Sequence, residues 1–293
     1  MMNRAINTLV LATVDSLKKF KKKLAYHLAI FAMIFGGSTF GTFNAANAVD
    51  LSANDIWADG ISGANGTITD PSANMAVDLK GYKLSMVTAG DGVNVGALTD
   101  TGTNDGTDIS LTIINTNGAA ALTQTIASVV VDGIVNVLNI DNENDVTLTI
   151  SGAGASNVIG GALNLTSAEA TADKHIVVDV AGGLEVTGVT TLTANTGSSA
   201  SNATLIVDKA AVFTGGVVLN DNTGLAILEL EQNNAVTISG DITAAANNEG
   251  TIQMTGTGKT LSGDIGTSSV KLKEVQVDAA SGNLTGTVYT TLL

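Results

Sequence analysis

The side chains of this chain that could do chemistry lie in two acidic stretches. DTGTNDGTD places Asp100, Asp105 and Asp108 within nine residues, and DNEND alternates Asp141, Glu143 and Asp145 with asparagines. Oxygen-rich turns of this composition suit Ca2+, a hard cation that takes carboxylate and carbonyl ligands. DNEND has neither the glycine nor the distal glutamate of an EF-hand loop, and no G-G-x-G-x-D array follows it, so a solvated corner is the plainer reading of both stretches. Calcium is the only cofactor the residues suggest.

Three other near-matches to known chemistry are weaker. TGTGKT at Thr255 to Thr260 resembles a phosphate loop, but Gln253 stands where G-x-x-x-x-G-K-T needs its first glycine. Asp100-Thr101-Gly102 has the triplet of aspartic proteases, a chemistry that needs two such carboxylates sharing a proton, and no second copy exists. His175, in DKHIVV at a strand start, is the one histidine after residue 48, and a lone edge histidine reads as a surface residue. No catalytic set emerges, and an enzyme is not expected. Solenoid enzymes that cleave acidic polysaccharides remain the outside reading, disfavoured by the absence of Arg after residue 48 and by scattered Lys.

The positions of these residues depend on the elements that carry them. Only 3% of the 293 residues are aromatic and 14% charged, while 44% are apolar; there is no cysteine and one proline. A chain this apolar is not disordered, and Gly, Asn, Thr and Ser mixed with Val, Leu and Ile suit many short strands joined by tight turns. Without cysteine, stability comes from packing and backbone hydrogen bonds.

Residues 1–48 read as a signal peptide. Lys18, Lys19, Lys21, Lys22 and Lys23 precede the apolar run LAYHLAIFAMIFGG, and Ala46-Asn47-Ala48 supplies a small-x-small cleavage pattern before Val49. A retained membrane anchor is the alternative, since Leu24 to Phe43 is about long enough to span a bilayer. Six of the 13 basic residues lie in this segment, against Asp15 alone among the 27 acids. The remainder carries 7 Lys and 26 acids, a net charge of −19. Such a chain repels phosphate backbones, which excludes nucleic acid as a partner.

ISGDI at Ile238 to Ile242 returns as LSGDI at Leu261 to Ile265. Glycines recur in that frame at Gly133, Gly160, Gly188, Gly215, Gly240, Gly263 and Gly286, spaced 27, 28, 27, 25, 23 and 23. Two positions earlier stand Val131, Val158, Val186, Phe213, Ile238, Leu261 and Leu284; two later stand Val135, Ala162, Thr190, Val217, Ile242, Ile265 and Val288. Period two puts both flanking rows on one strand face. A second alternating pair accompanies each glycine: Leu148/Ile150, Ile176/Val178, Leu205/Val207, Leu228/Leu230, Ile252/Met254 and Val275/Val277. Polar clusters such as GSSASN, NDNTG and AANNEG separate the strands as corners.

The pattern predicts an all-β parallel β-solenoid (β-helix) of about ten coils, roughly 50 Å long at one strand spacing per coil. An antiparallel sandwich or barrel is the alternative, but it does not require one apolar row to recur seven times at a single period. The expected organisation is a signal peptide at 1–48, capping coils or irregular β structure at 49–124, and the repetitive solenoid at 125–293. ISG also occurs at Ile61 to Gly63, where the phase of the repeat is unclear.

The exported, cysteine-free repeat ISGDITAAANNEGTIQMTGTGKTLSGDIGTSSVKLKEVQV resembles the passenger regions of bacterial autotransporter adhesins, and is most similar to the rickettsial outer-membrane surface antigens. The resemblance covers roughly Gly133 to Leu293 and the signal layout. It implies a rod on the bacterial surface that contacts a host cell or other copies of itself. That family ends in a membrane barrel of about twelve strands, whereas this sequence stops at TVYTTLL, so the resemblance implies attachment to the outer membrane through a separate barrel or another, unseen anchor. A surface-layer subunit would share the acidity and the Asn/Thr richness and is the alternative function.

Overall fold

The computed structural model describes residues 49–51, 55–56, 61–63, 66–68, 75–80, 82–86, 94–100, 108–115, 121–139, 145–154, 156–167, 174–195, 200–231, 236–278 and 282–293. The chain divides into units 1–43 and 44–293, and the first, with nearly all of the expected signal peptide, lies outside the described residues.

Val, Ile, Leu and Thr alternate through the second unit, and their β-branched and apolar side chains favour a pleated backbone with one face buried. Strands such as Val146–Ile150, Ile176–Val180 and Ala203–Val207 therefore bury every second residue. Each pairs in parallel with its counterpart in the next turn of the chain: Leu148 lies opposite Val178, Val178 opposite Leu205, and Leu205 opposite Leu228. The fold is a parallel β-solenoid, as the repeat predicts.

A regular turn has three faces, for example Ile176–Val180, Gly183–Val186 and Thr190–Thr193. Six turns, beginning at Val146, Ile176, Ala203, Ala226, Glu249 and Leu272, carry all three, the last two closing the third face through single bridges at Ile265 and Val288. The expected ten coils are thus six complete turns, about 29 Å of rise at one strand spacing each. Among the described residues the earlier turns show a first and a third face only, as in Met75–Asp78 with Leu84–Met86 and Asn94–Thr99 with Ile109–Asn115. Strand Leu122–Val131 joins the two regions: Leu122 to Ile126 pair with the first face of the next turn, and Val130 and Val131 open the second face. The division expected at residue 124 therefore falls inside one continuous strand. Ile61–Gly63 belongs to no rung; it pairs antiparallel with Gly66–Ile68, so this ISG is a hairpin arm.

Aligned rows of side chains fill the interior. Leu148, Val178, Leu205, Leu228, Ile252 and Val275 form one row, all buried. Each such residue contributes on the order of 2 kcal/mol by leaving water. Ile176 stacks one step outside this row, between Val146 and Ala203, so the pair continuing Leu148/Ile150 is Val178/Val180. At the head of the row, opposite Leu148, Gln124 points inward with no exposure, and both of its amide heteroatoms lack a hydrogen-bond partner.

The glycine row exists, with one change of frame. Ile159 lies opposite both Val131 and Val186, and Gly161 accepts from Gly188 N–H while donating to the Gly133 carbonyl. Gly161, not Gly160, is therefore the rung, flanked by Ile159 and Leu163 instead of Val158 and Ala162. The double glycine offers two frames one residue apart, and only the buried face distinguishes them. Val158 is correspondingly half-buried and Ile159 fully buried.

Backbone proximity is the reason for glycine. A Cβ on Gly188 would sit 2.7 Å from the Gly161 carbonyl carbon; one on Gly215 would strike Gly188, one on Gly263 the Gly240 carbonyl, and one on Gly286 the Gly263 carbonyl. Gly240 lies against the Phe213 backbone and also has φ +120°. The ladder slips here: Ala211 faces Ile238 while Val217 faces Ile242, so the earlier corner uses two more residues. A tight turn absorbs them, Gly216 N–H donating to the Phe213 carbonyl at 3.0 Å with φ +78° at Gly216. Because the slip is two residues, Phe213 and Ile238 both stay inside.

Gly240→Val should lower stability by about 2 kcal/mol or more, through overpacking and a disfavoured φ. Gly154→Ala, with nothing within 4 Å of the new methyl, should change it by less than about 0.5 kcal/mol. Denaturant melts of the two variants test this; equal midpoints would refute the close-approach account.

Candidate functional site

The acidic turns are partly placed. Asp105, Asp141 and Glu143 lie outside the described residues. Asp100 is buried and accepts a hydrogen bond from Ser110 Oγ at 3.3 Å, and the same Oγ accepts from Gly133 N–H at 3.1 Å. Asp108 is exposed, and its backbone carbonyl receives Ile134 N–H at 2.7 Å. Asp145 Oδ1 accepts from His175 N–H at 2.8 Å. These placements tie Asp100 and Asp145 to neighbouring turns of the chain. Among the described residues no group of three or more His, Cys, Asp or Glu converges in a geometry that could hold a metal ion.

His175 belongs to the same device. Its Nδ1 accepts from Asn202 N–H at 3.1 Å, and Asn202 Oδ1 accepts from Leu225 N–H at 2.9 Å. With Asp145, three side chains of different type each hold the backbone of the following turn at one corner. An accepting Nδ1 carries no proton, which fixes the neutral ring as the Nε2–H tautomer.

ISGDI has an equivalent relay: Asp241 Oδ1 accepts from Asp264 N–H at 2.9 Å, and Asp264 Oδ1 from Thr287 N–H at 2.7 Å. The acid of this motif makes an inter-turn bond where the turns are shortest. Charge-assisted bonds to backbone N–H groups are among the stronger ones available at a surface.

The phosphate-loop near-match is excluded as a binding site. Lys259 occupies an inward position opposite Val236 and is 1% exposed, so its ammonium is not presented to a ligand. Gln253, in the place of the missing glycine, donates to Gln276 at 3.0 Å in an outward row.

Sequence reasoning missed one electrostatic feature. Asp208 and Glu231 sit at the same corner of successive turns, immediately after paired Val207 and Leu230, and Asp179 and Glu229 face outward on the adjoining strands. Burial, with the charges of Asp208 and Glu231 adding to it, raises the Asp179 carboxyl above its ordinary range. Burial and then Glu231 do the same to Glu229. Lys259 is displaced downward by its burial, partly offset by Asp208. The 23-residue separation of Asp208 and Glu231, equal to the coil spacing there, is the signal that could have revealed the column.

The ladders, the glycine row and the corner relays define a parallel β-solenoid. No protein family, curated protein or solved structure matches the chain.

His175→Ala should cost about 1 kcal/mol, or roughly 2–4 °C in melting temperature, while His175→Asn, which keeps an acceptor at the corner, should recover most of it. Equal losses in both would refute the relay. With Asp100 and Asp145 already accepting protein donors, EDTA should leave the melting temperature unchanged; a fall of several degrees would restore a structural calcium ion.

Proposed function

We propose that the protein is an exported surface rod of the adhesin type, similar in role to an autotransporter passenger, acting through many weak contacts along its faces. The observation that carries this reading is the outer surface of the stacked turns, which repeats uncharged polar groups at the strand spacing. Asn136 pairs with Asn164 at 3.0 Å, Ser239 lies 3.3 Å from Ser262, and Gln253 pairs with Gln276. Groups held by their own neighbours present an ordered surface whose rigidity lowers the entropic cost of each contact. Repetition along one stiff axis converts weak contacts into avidity. The lysine run and the small-x-small site before Val49 support export, and the net charge of the remainder supports a cell or glycan surface over nucleic acid. Attachment to the outer membrane through a separate barrel or another anchor belongs to the same proposal.

Negative-stain electron microscopy of cells expressing the full chain, with binding to host cells measured in parallel, tests the proposal. Isolated rods and adherence that rises steeply with the number of displayed copies are expected. A two-dimensional lattice in calcium-containing buffer would identify a surface-layer subunit, and turnover of polygalacturonate would identify an enzyme.

A further inference from the structure

The corner between the third and first faces is held by side-chain acceptors that differ in one chemical respect. Lys174 N–H donates to Ser201 Oγ at 2.8 Å, His175 N–H to Asp145 Oδ1 at 2.8 Å, Asn202 N–H to His175 Nδ1 at 3.1 Å and Leu225 N–H to Asn202 Oδ1 at 2.9 Å. Hydroxyl, carboxylate and amide oxygens keep a lone pair whether or not the solution is mildly acidic. An imidazole nitrogen does not: the cation carries a proton on both ring nitrogens, and imidazole ordinarily changes charge between pH 5 and 8. A further bond ties the same pair of turns, Ile176 N–H donating to the Asn202 carbonyl at 2.9 Å, and it involves no titrating group.

We propose that His175 is an acid-released latch between the turns that begin at Ile176 and Ala203. With the ring neutral, Nδ1 holds Asn202 N–H; with the ring protonated, Nδ1–H and Asn202 N–H are donors face to face and the bond is lost. A bond made by the neutral form alone supports the corner at neutral pH and disappears as the pH falls through the imidazole range. Among the described residues the charged groups around the ring are Asp145 on the preceding turn and Lys174 beside it in sequence. Beyond Asn202 stands Asp221, which accepts from Ala226 N–H at 2.7 Å and lies 3.8 Å from Lys273 Nζ. Asp145 attracts the imidazolium and Lys174 repels it. Asp145 lies one turn before His175 and Asn202 one turn after, so the carboxylate does not take over the released N–H. The ladder from Ile176 to Val180 stays paired with Ala203 to Val207, which confines the opening to the corner. The bond itself needs only an acceptor; histidine is what makes it answer to acid.

Amide hydrogen exchange of the full chain at pH 8 and pH 5, corrected for intrinsic rates, reads the latch residue by residue, and side-chain nitrogen NMR of His175 reads its protonation in the same samples. The Asn202 amide should lose protection roughly fivefold at pH 5, in step with the ring's titration, while the Ile252 and Met254 amides keep theirs. His175→Asn should hold the Asn202 amide protected at both pH values, and His175→Ala should leave it at the lower level at both. A ring that stays neutral at pH 5, a protonated ring with Asn202 still protected, an equal loss at Ile252, or an equal loss in His175→Asn would each overturn the latch.

Discussion

One constraint governs this molecule: successive turns must lie a single strand spacing apart along their whole circumference. Parallel ladders satisfy backbone polar groups along the faces, but at the corners the chain bends and the ladder alone cannot close. There the backbones of neighbouring turns approach until a methyl group would not fit between Gly188 and Gly161, or between Gly263 and Gly240. Glycine at those corners is thus the condition for continuous stacking, and the aliphatic rows inside are its reward. A narrow interior also explains the composition, since Phe213 is the one aromatic ring fully buried among the described residues. Its rung is where the register slips.

What the glycines allow, side-chain acceptors complete. Asp145, His175 and Asn202 at one corner, and Asp241 and Asp264 at another, take up N–H groups of the next turn that would otherwise face a bend without a partner. Within the second face Asn157 works in both directions, accepting from Val129 N–H and donating to the Gly183 carbonyl, each at 3.0 Å, while almost fully buried. The Asn richness of the chain is therefore partly structural.

The repeat was legible in the sequence because stacking imposes it: seven glycines with apolar residues two positions to either side, Thr190 alone excepted, have no other simple cause. The frame failed at Gly160-Gly161, where adjacent glycines made two phases equally good and the half-buried Val158 imitated the inward Ile159. Thr190, the one polar member of its row, is nonetheless fully buried between Leu163 and Val217. The relay through Asp145, His175 and Asn202 was illegible because these residues share no letter pattern and act on a residue one turn away, whereas Asp241 and Asp264 stand in the repeated SGDI itself. The two-faced early turns were illegible for another reason: Leu122–Val131 runs straight through a corner that later turns mark with a break, so no glycine announces it.

The relay at Asp145, His175 and Asn202 also bears on how such a chain changes over generations. The position requires a lone pair at a fixed height and is indifferent to which side chain supplies it. Drift among aspartate, histidine and asparagine is then nearly silent for the fold, whereas insertion of a single residue in a strand would turn the inward residues beyond it in that strand to the outside. A solenoid of this kind can lose likeness in letters while keeping its geometry, and lineage would be traced more securely through its spacing than through its residues.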